Sequence, residues 1–457
     1  MASKSFGGQS GGHAGGHAGG HAGDGVNGLR FGDSYADTLY ADALNRQRAA
    51  IIDTRPDVLN KAWKLRDRHF LERYVPARKK TPTPDELKSL QLGLNAHVFR
   101  WDVWVRKYLV VSDLIRYLDF KMTPGNGWTT DIDGTYRASE ETSQPSLEMS
   151  VRSYSAKSLI PSVTSMFRMT RPGASAYRNQ LQLVLQWAEL RDERMSEILS
   201  QIDNQTPFWG SVLPIQTDRL QYTNELLEVV NEFAVFVEMR FKHELACWRP
   251  TDLSPMVQPM ITTPGHGSTP SGHATQSFAV LEVIRGLLNT TSGSRPGASG
   301  ALRLHAQGNA TKSPGATDYI NKQMERIATR IATNRVVAGL HFPVDNIAGR
   351  ILGTILGEYF IYRCGASNPP VATSKKLAPE PFHWHAGSFD GDIFSGCSTD
   401  DFDPDAQQLT GSNVPEYYSY RDPLERGVAL PLPPTSPLMN LWEASIDELQ
   451  KLELRFE

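Results

Sequence analysis

Lys242-His-Glu-Leu-Ala-Cys-Trp-Arg249-Pro250, Pro270-Ser271-Gly272-His273 and Arg335-Val-Val-Ala-Gly-Leu-His341-Phe-Pro-Val-Asp345 follow one another within residues 242–345 of a 457-residue chain. Each reads as a helix end or a turn into a helix. Lys242 and Arg249 stand seven apart, two helical turns, so the spacing predicts both on one face of a helix that Pro250 ends. Pro270–His273 follows a loop rich in Gly, Thr and Pro. It opens a helix whose free N–H groups favour an anion, with Ser271 offering a hydroxyl and Gly272 allowing close approach to its amide. Arg335 stands near the end of another helix. Gly339 lets the chain break, and Asp345 is four residues beyond His341, within reach of its imidazole if the turn between them is helical. Three fixed cations, a hydroxyl, a glycine amide and two histidines suit a tetrahedral or trigonal-bipyramidal oxyanion.

Outward from these segments the periodicity is mainly helical. Helices are predicted over 57–73, within 84–120, and over 175–202, 217–247, 272–289 and 316–339, with a further one from Pro343 to about Tyr362. The stretch 123–172 is rich in Ser, Thr and Gly and reads as loops. Residues 290–315 read as a surface insertion, 366–437 as a Pro-rich irregular segment, and 440–456 as a closing helix. The expected class is all-α: helical bundles with long loops and an irregular C-terminal arm. The expected division is a Gly/His-rich tail over 1–30, a helical domain over 31–365 with its site in 239–345, and an extension over 366–457. Arms of that kind often wrap a second copy, so a homo-oligomer is expected.

The bulk composition excludes several classes. With 40% hydrophobic and 21% charged residues and a net charge of -3, nothing suggests a nucleic-acid surface. No apolar run reaches the roughly 18 residues a membrane span needs. Three cysteines make no disulfide framework; Cys364 and Cys397 could pair, and reduced thiols are the expectation. The start of the chain lacks the basic and apolar regions of a signal peptide, so a cytoplasmic location is expected, with other export routes left open. His13, His17 and His21 recur in a Gly-Gly-His-Ala tract that reads as a solvated tail. His383 and His385 resemble a metal pair lacking a third ligand. His243 faces away from Lys242.

The three segments resemble the signature of vanadium-dependent haloperoxidases, a superfamily shared with type-2 phosphatidic acid phosphatases and bacterial acid phosphatases. The match covers Lys242, Arg249, Pro250, Pro270, Ser271, Gly272, His273, Arg335, His341 and Asp345; Asn334 stands where the family usually has Ser. The resemblance implies a vanadate cofactor bonded to His341. Lys242, Arg249 and Arg335 would neutralise its oxygens, with Ser271 and the Gly272 amide adding hydrogen bonds. His273, at the mouth of the site, would act as acid/base toward hydrogen peroxide, and Lys242 would polarise the oxidant. Asp345 would fix the tautomer of His341.

Two side features favour a peroxidase of the bromide type. About 240 residues precede Lys242, more than small soluble phosphatases of this superfamily carry. His266 lies seven before His273, where bromoperoxidases have a histidine and chloroperoxidases an aromatic residue, and such a histidine would titrate near neutral pH. Met239, three before Lys242, replaces the Trp of better-known members and leaves halide preference open. The implied partners are hydrogen peroxide, bromide or iodide, and an organic acceptor for hypohalous acid. The alternatives are a soluble acid phosphatase working through a phospho-His341 intermediate, and a non-catalytic helical scaffold.

Overall fold

A computed structural model describes residues 101–451, apart from 126–127, 131–135, 139–143, 154–161, 203–204, 214, 216–218, 292–315, 365–385, 392–398, 411–417 and 422–436. The chain divides into two compact units. One comprises 1–9 and 21–106, of which 101–106 are described; the other, 10–20 and 107–457, carries everything below. The Gly/His tail, the helix expected over 57–73, the bulk of the 290–315 insertion and the His383/His385 pair lie outside the described residues.

The fold is all-α in class, a helical bundle carrying a small sheet. Its centre is a pair of helices, α7 (Gly272–Thr291) and α9 (Pro343–Arg363). Every residue of α9 is buried, as expected of a helix that is apolar nearly all round. The two come close because α9 presents Gly349, Gly353 and Gly357 at four-residue spacing. A methyl on Gly349 would stand 2.6 Å from the Ser271 carbonyl oxygen, and one on Gly353 2.3 Å from that of Thr275. On Gly357 it would meet Glu282 Cβ at 2.6 Å. α9 therefore seats directly on the first turns of α7, where the site lies. Around this pair pack α5 (Gln221–Leu245), α8 (Ala316–Val337) and the closing α10 (Pro437–Lys451). Gly286 admits Trp442 of α10. Among the described residues no helix is long and apolar enough to cross a membrane.

Three expectations need correction. β1 (Leu118–Thr123) ends at the first residue of the stretch read as loops, and that stretch holds strands: the short hairpin β2 (Trp128–Thr130) and β3 (Tyr136–Ala138), then β4 (Ser146–Ser153) and β5 (Ser162–Thr170). Leu147, Met149 and Val151 of β4 alternate inward, a two-residue period hidden among Ser and Thr, which are themselves good strand residues. The C-terminal segment is not wholly irregular, since β6 (Ala386–Asp390) and β9 (Tyr418–Arg421) complete a five-stranded sheet in the order β1-β4-β5-β6-β9. β5 and β6 are parallel; the other neighbours are antiparallel. The helix expected over 175–202 is instead α2 (Ala174–Gln186), a 3₁₀ turn at Trp187–Leu190 and α3 (Arg191–Ser200). Arg191 pins the break by donating to the carbonyl oxygens of Val337, Gln258 and Val257 at 2.7–3.0 Å.

Candidate active site

Lys242 lies in the last turn of α5 and is 1% exposed. Its Nζ donates to the carbonyl oxygens of Ser268 (3.2 Å), Gly267 (3.5 Å) and Pro270. The loop can lie this close because residue 267 is glycine: a methyl there would be 2.5 Å from the Lys242 carbonyl oxygen. Arg249 does not share the helix of Lys242. α5 stops at Leu245, Ala246 turns left-handed (φ 46°), and Arg249 caps the short α6 (Pro250–Leu253), its N–H bonded to Asp252 at 2.7 Å. Pro250 thus opens a helix instead of closing one, which its fixed φ and missing N–H permit at the first helical position. Lys242 and Arg249 are brought together by a turn, not by one helical face.

Arg249 is the hub of the site. Its guanidinium donates to the carbonyl oxygens of Leu340 (2.9 Å), His266 (3.2 Å) and Gly267 (3.3 Å), and contacts His341 Nε2 and His266 Nδ1, each at 3.1 Å. A guanidinium only donates. His341 Nε2 is therefore the lone-pair nitrogen, and Nδ1 carries the proton. That proton faces Asp345 Oδ2 at 3.3 Å and Ser268 Oγ at 3.2 Å. His341 precedes α9 and Asp345 is its third residue, so their contact is made across the helix start. Asp345 also accepts from the Phe342 N–H at 2.8 Å and from the hydroxyls of Ser268 and Thr269, while Tyr177 stands 3.2 Å from Thr269 Oγ1. Gly339, at φ +78°, makes the break before His341 as expected.

Arg335 and His273 form the other side. Arg335 donates to Gln201 Oε1 (3.1 Å) and the Ile198 carbonyl oxygen (3.2 Å), with His273 Nε2 at 3.5 Å. His273 is fully buried, not at a mouth, because the first turn of α7 packs beneath the end of α3; its Nε2 donates to the Gln201 carbonyl at 2.7 Å. Asn334, in the place of the usual Ser, holds Gln201 Oε1 and Glu197 Oε2 at 3.0 Å each and so braces the residue that braces Arg335. Ser271 joins the two sides, its N–H donating to the Asp345 carbonyl at 2.8 Å, and Gly272 begins α7 beside it. Met239 and His266 are half-buried.

The electrostatics are those of a buried cation excess. Burial lowers Arg249 to about 10 and Arg335 to about 9. Burial, then the neighbouring Arg249, lower Lys242 to about 7. Glu238, one turn before Lys242, is raised by burial to about 8 and so is protonated at neutral pH. Burial also pushes Asp345 up, against its hydrogen bonds. His341 is held well below the usual histidine range by burial and by Arg249, Lys242, His266 and Arg335. His266 is lowered to about 3 by burial, Lys242 and Arg249. The expectation that His266 titrates near neutral pH is thereby corrected.

Among the buried polar atoms of this set, Ser271 Oγ, Arg335 Nε, His266 Nε2 and Glu238 Oε2 have no hydrogen-bond partner among the described residues. Orphaned donors cost about 1–3 kcal/mol each unless something accepts from them. Among the described residues no group of three or more His, Cys, Asp or Glu could hold a metal ion. The donor set is instead one lone-pair nitrogen inside a ring of cations and hydroxyl and amide donors. It fits an oxyanion, vanadate included, and not a bare cation.

Residues 237–365 match the family model described as the VCPO second helical-bundle domain. This part of the chain is similar to the vanadium haloperoxidase type. The match runs from the last turns of α5 to the end of α9 and so contains every residue of the cage except those that brace it from α3. No curated protein matches the chain. Sequence reasoning missed Glu238, Ser268, Thr269 and Gln201. Glu238 was within reach, because position i–4 from a buried Lys on a helix faces the same way. Ser268 and Thr269 adjoin the Pro270 motif. Gln201 carries no sequence signal, as it arrives from α3.

Proposed function

We propose that the protein is a vanadate-dependent haloperoxidase that oxidises bromide or iodide with hydrogen peroxide. The observation that carries this reading is the set of contacts on the two ring nitrogens of His341. Arg249 on one nitrogen and Asp345 with Ser268 on the other leave Nε2 as a lone pair inside the cation cage. His341 Nε2 is then the coordinating nitrogen. Lys242, Arg249 and Arg335 balance the oxyanion charge, and Ser271 Oγ, Arg335 Nε and the Gly272 amide supply hydrogen bonds. Bound vanadate supplies a Lewis acid that activates peroxide without changing its own oxidation state. His273, whose Nε2 is committed to Gln201, takes the peroxide proton at Nδ1. Halide gives up two electrons, the peroxide O–O bond breaks, and with the proton returned by His273 and one taken from solvent hypohalous acid and water leave. The half-buried His266 beside Arg249, with Met239 at the position where the resemblance puts an aromatic residue, would make a more polar wall than an aromatic one. It favours bromide and iodide over chloride, the hardest to oxidise.

A phospho-His341 phosphatase would use the same lone pair. The deciding experiment is halide oxidation by hydrogen peroxide with and without orthovanadate, run beside hydrolysis of a chromogenic phosphate ester. The expected outcome is vanadate-dependent bromide oxidation that inorganic phosphate suppresses by competing for the cage. Ester hydrolysis with no vanadate-dependent oxidation would establish the phosphatase instead.

A further inference from the structure

We propose that a cleft between α3, α8 and the turn at Pro404–Asp405 binds a small organic anion bearing a ring, at a site separate from the oxyanion cage. The cleft encloses about 730 Å³, which falls within the range of pockets for small organic ligands. None of its lining residues belongs to the cage.

The floor is apolar and fixed. Trp187 and Leu190 pack behind on the buried cluster of Ile198, Val337, Ala338 and Leu340. Phe402 lies against the Trp187 ring, centroids 5.9 Å apart, and Pro404 closes one end. A rigid indole facing a cleft is a stacking surface for a ring. The wall is cationic. α8 presents Lys322, Arg326 and Arg330 at four-residue spacing, along one face. Arg330 is already neutralised by a two-pronged contact with Glu197 at 2.7 and 2.9 Å. Lys322 and Arg326 are exposed and form no ion pair among the described residues. Arg194, from α3, donates from Nη1 to Asn334 Oδ1 at 3.3 Å, its one ion pair among the described residues is a long one with exposed Glu193 at 3.9 Å, and its buried Nε has no hydrogen-bond partner there. Two carboxylates also line the cleft. Glu325 faces Arg285 at 3.5 Å, and Asp405 is exposed. Two exposed cations without an ion pair among the described residues, and a third with only a long one, stand beside a fixed aromatic floor and select a negatively charged ring compound over a neutral or positive one. Arg194, held below the usual arginine range by burial and by Arg330, gains most from an added anion.

The test titrates the full chain with 2-naphthoate and with its uncharged counterpart 2-naphthalenemethanol, both in saturating phosphate so that the cage is filled. Naphthoate is expected to bind with one-to-one stoichiometry, at least about tenfold tighter than the alcohol. Lys322→Glu with Arg326→Glu should weaken naphthoate at least about tenfold and leave the alcohol and the melting temperature unchanged, since both side chains are exposed. Arg326→Gln alone should give a smaller loss in the same direction. Equal affinity for the two probes, an unchanged naphthoate affinity in the double variant, or displacement of naphthoate by phosphate would overturn the proposal.

Discussion

α7 carries two clusters of buried charge, and they differ in which sign is left over. At its start, Lys242, Arg249 and Arg335 crowd round His341, with Asp345, pushed up by burial, against the imidazole and Asp252 on the Arg249 N–H. Further along, Arg285 donates to Glu282 at 2.9 Å and meets Glu325 at 3.5 Å, with Glu358 close enough to raise Glu282. The second cluster has surplus carboxyl, and a carboxyl escapes the cost of burial by keeping a proton; Glu282 rises to about 7. Arginine has no such exit at physiological pH. A buried surplus of guanidinium is relieved only by an anion from outside. The carboxyl surplus can settle itself within the fold, whereas the cation surplus suits the oxyanion site proposed above.

The sharpest way to break this contrast is to remove one arginine from each cluster. Arg335→Met is expected to weaken phosphate or vanadate binding by about 2–5 kcal/mol, the loss typical when one partner of a buried charge contact is truncated. Arg285→Met should leave that binding unchanged and lower the melting temperature, because it strands Glu282. Calorimetric titration and thermal melts of both variants check this; equal effects on anion binding would erase the distinction.

The pH dependence of stability sharpens the same point. Glu282 rises from an ordinary 4.5 to about 7, so between those values the folded chain holds a proton that the unfolded chain has released. Its contribution is complete below about 4.5 and is lost as pH climbs through about 7. At about 1.4 kcal/mol per pH unit the window is worth roughly 3 kcal/mol. Glu282→Gln should flatten this part of the stability curve measured by urea unfolding from pH 4 to 8. A parallel curve in the variant would mean that Glu282 is not the group that takes the proton.

Gly353→Ala probes the seam joining the clusters. With the Thr275 carbonyl 2.3 Å from the new methyl, α7 and α9 must separate, at a cost of about 1–3 kcal/mol in unfolding free energy. His266→Phe should have the smallest effect. It removes the acceptor for one Arg249 N–H at 3.1 Å, about 0.5–1.5 kcal/mol of oxyanion affinity, and should lower the ratio of bromide to chloride turnover. An unaltered ratio would make His266 a loop residue.

Much of this is legible in the sequence. α7, α8 and α9 begin and end within about two residues of the positions set by Gly272, Gly339 and Pro343, whose backbone preferences act locally. The sheet was not readable, because its strands are short and Ser/Thr-rich, and β6 and β9 join it from far along the chain. The cations and histidines were legible as chemistry, but their supports were not. Gln201 meets Arg335 and His273 only because α3 packs there, and no spacing encodes that. The turn that brings Arg249 to Lys242 was mistaken for helix because seven residues suit either reading.

The most direct test of the cation surplus is a calorimetric titration of the protein with orthovanadate at pH 6 and pH 9, with and without saturating inorganic phosphate. Lys242, lowered to about 7, loses its charge between those two conditions. The account predicts one equivalent of vanadate bound, more tightly at pH 6 than at pH 9, and blocked by phosphate. Absence of binding at pH 6, or vanadate binding that phosphate leaves untouched, would contradict it.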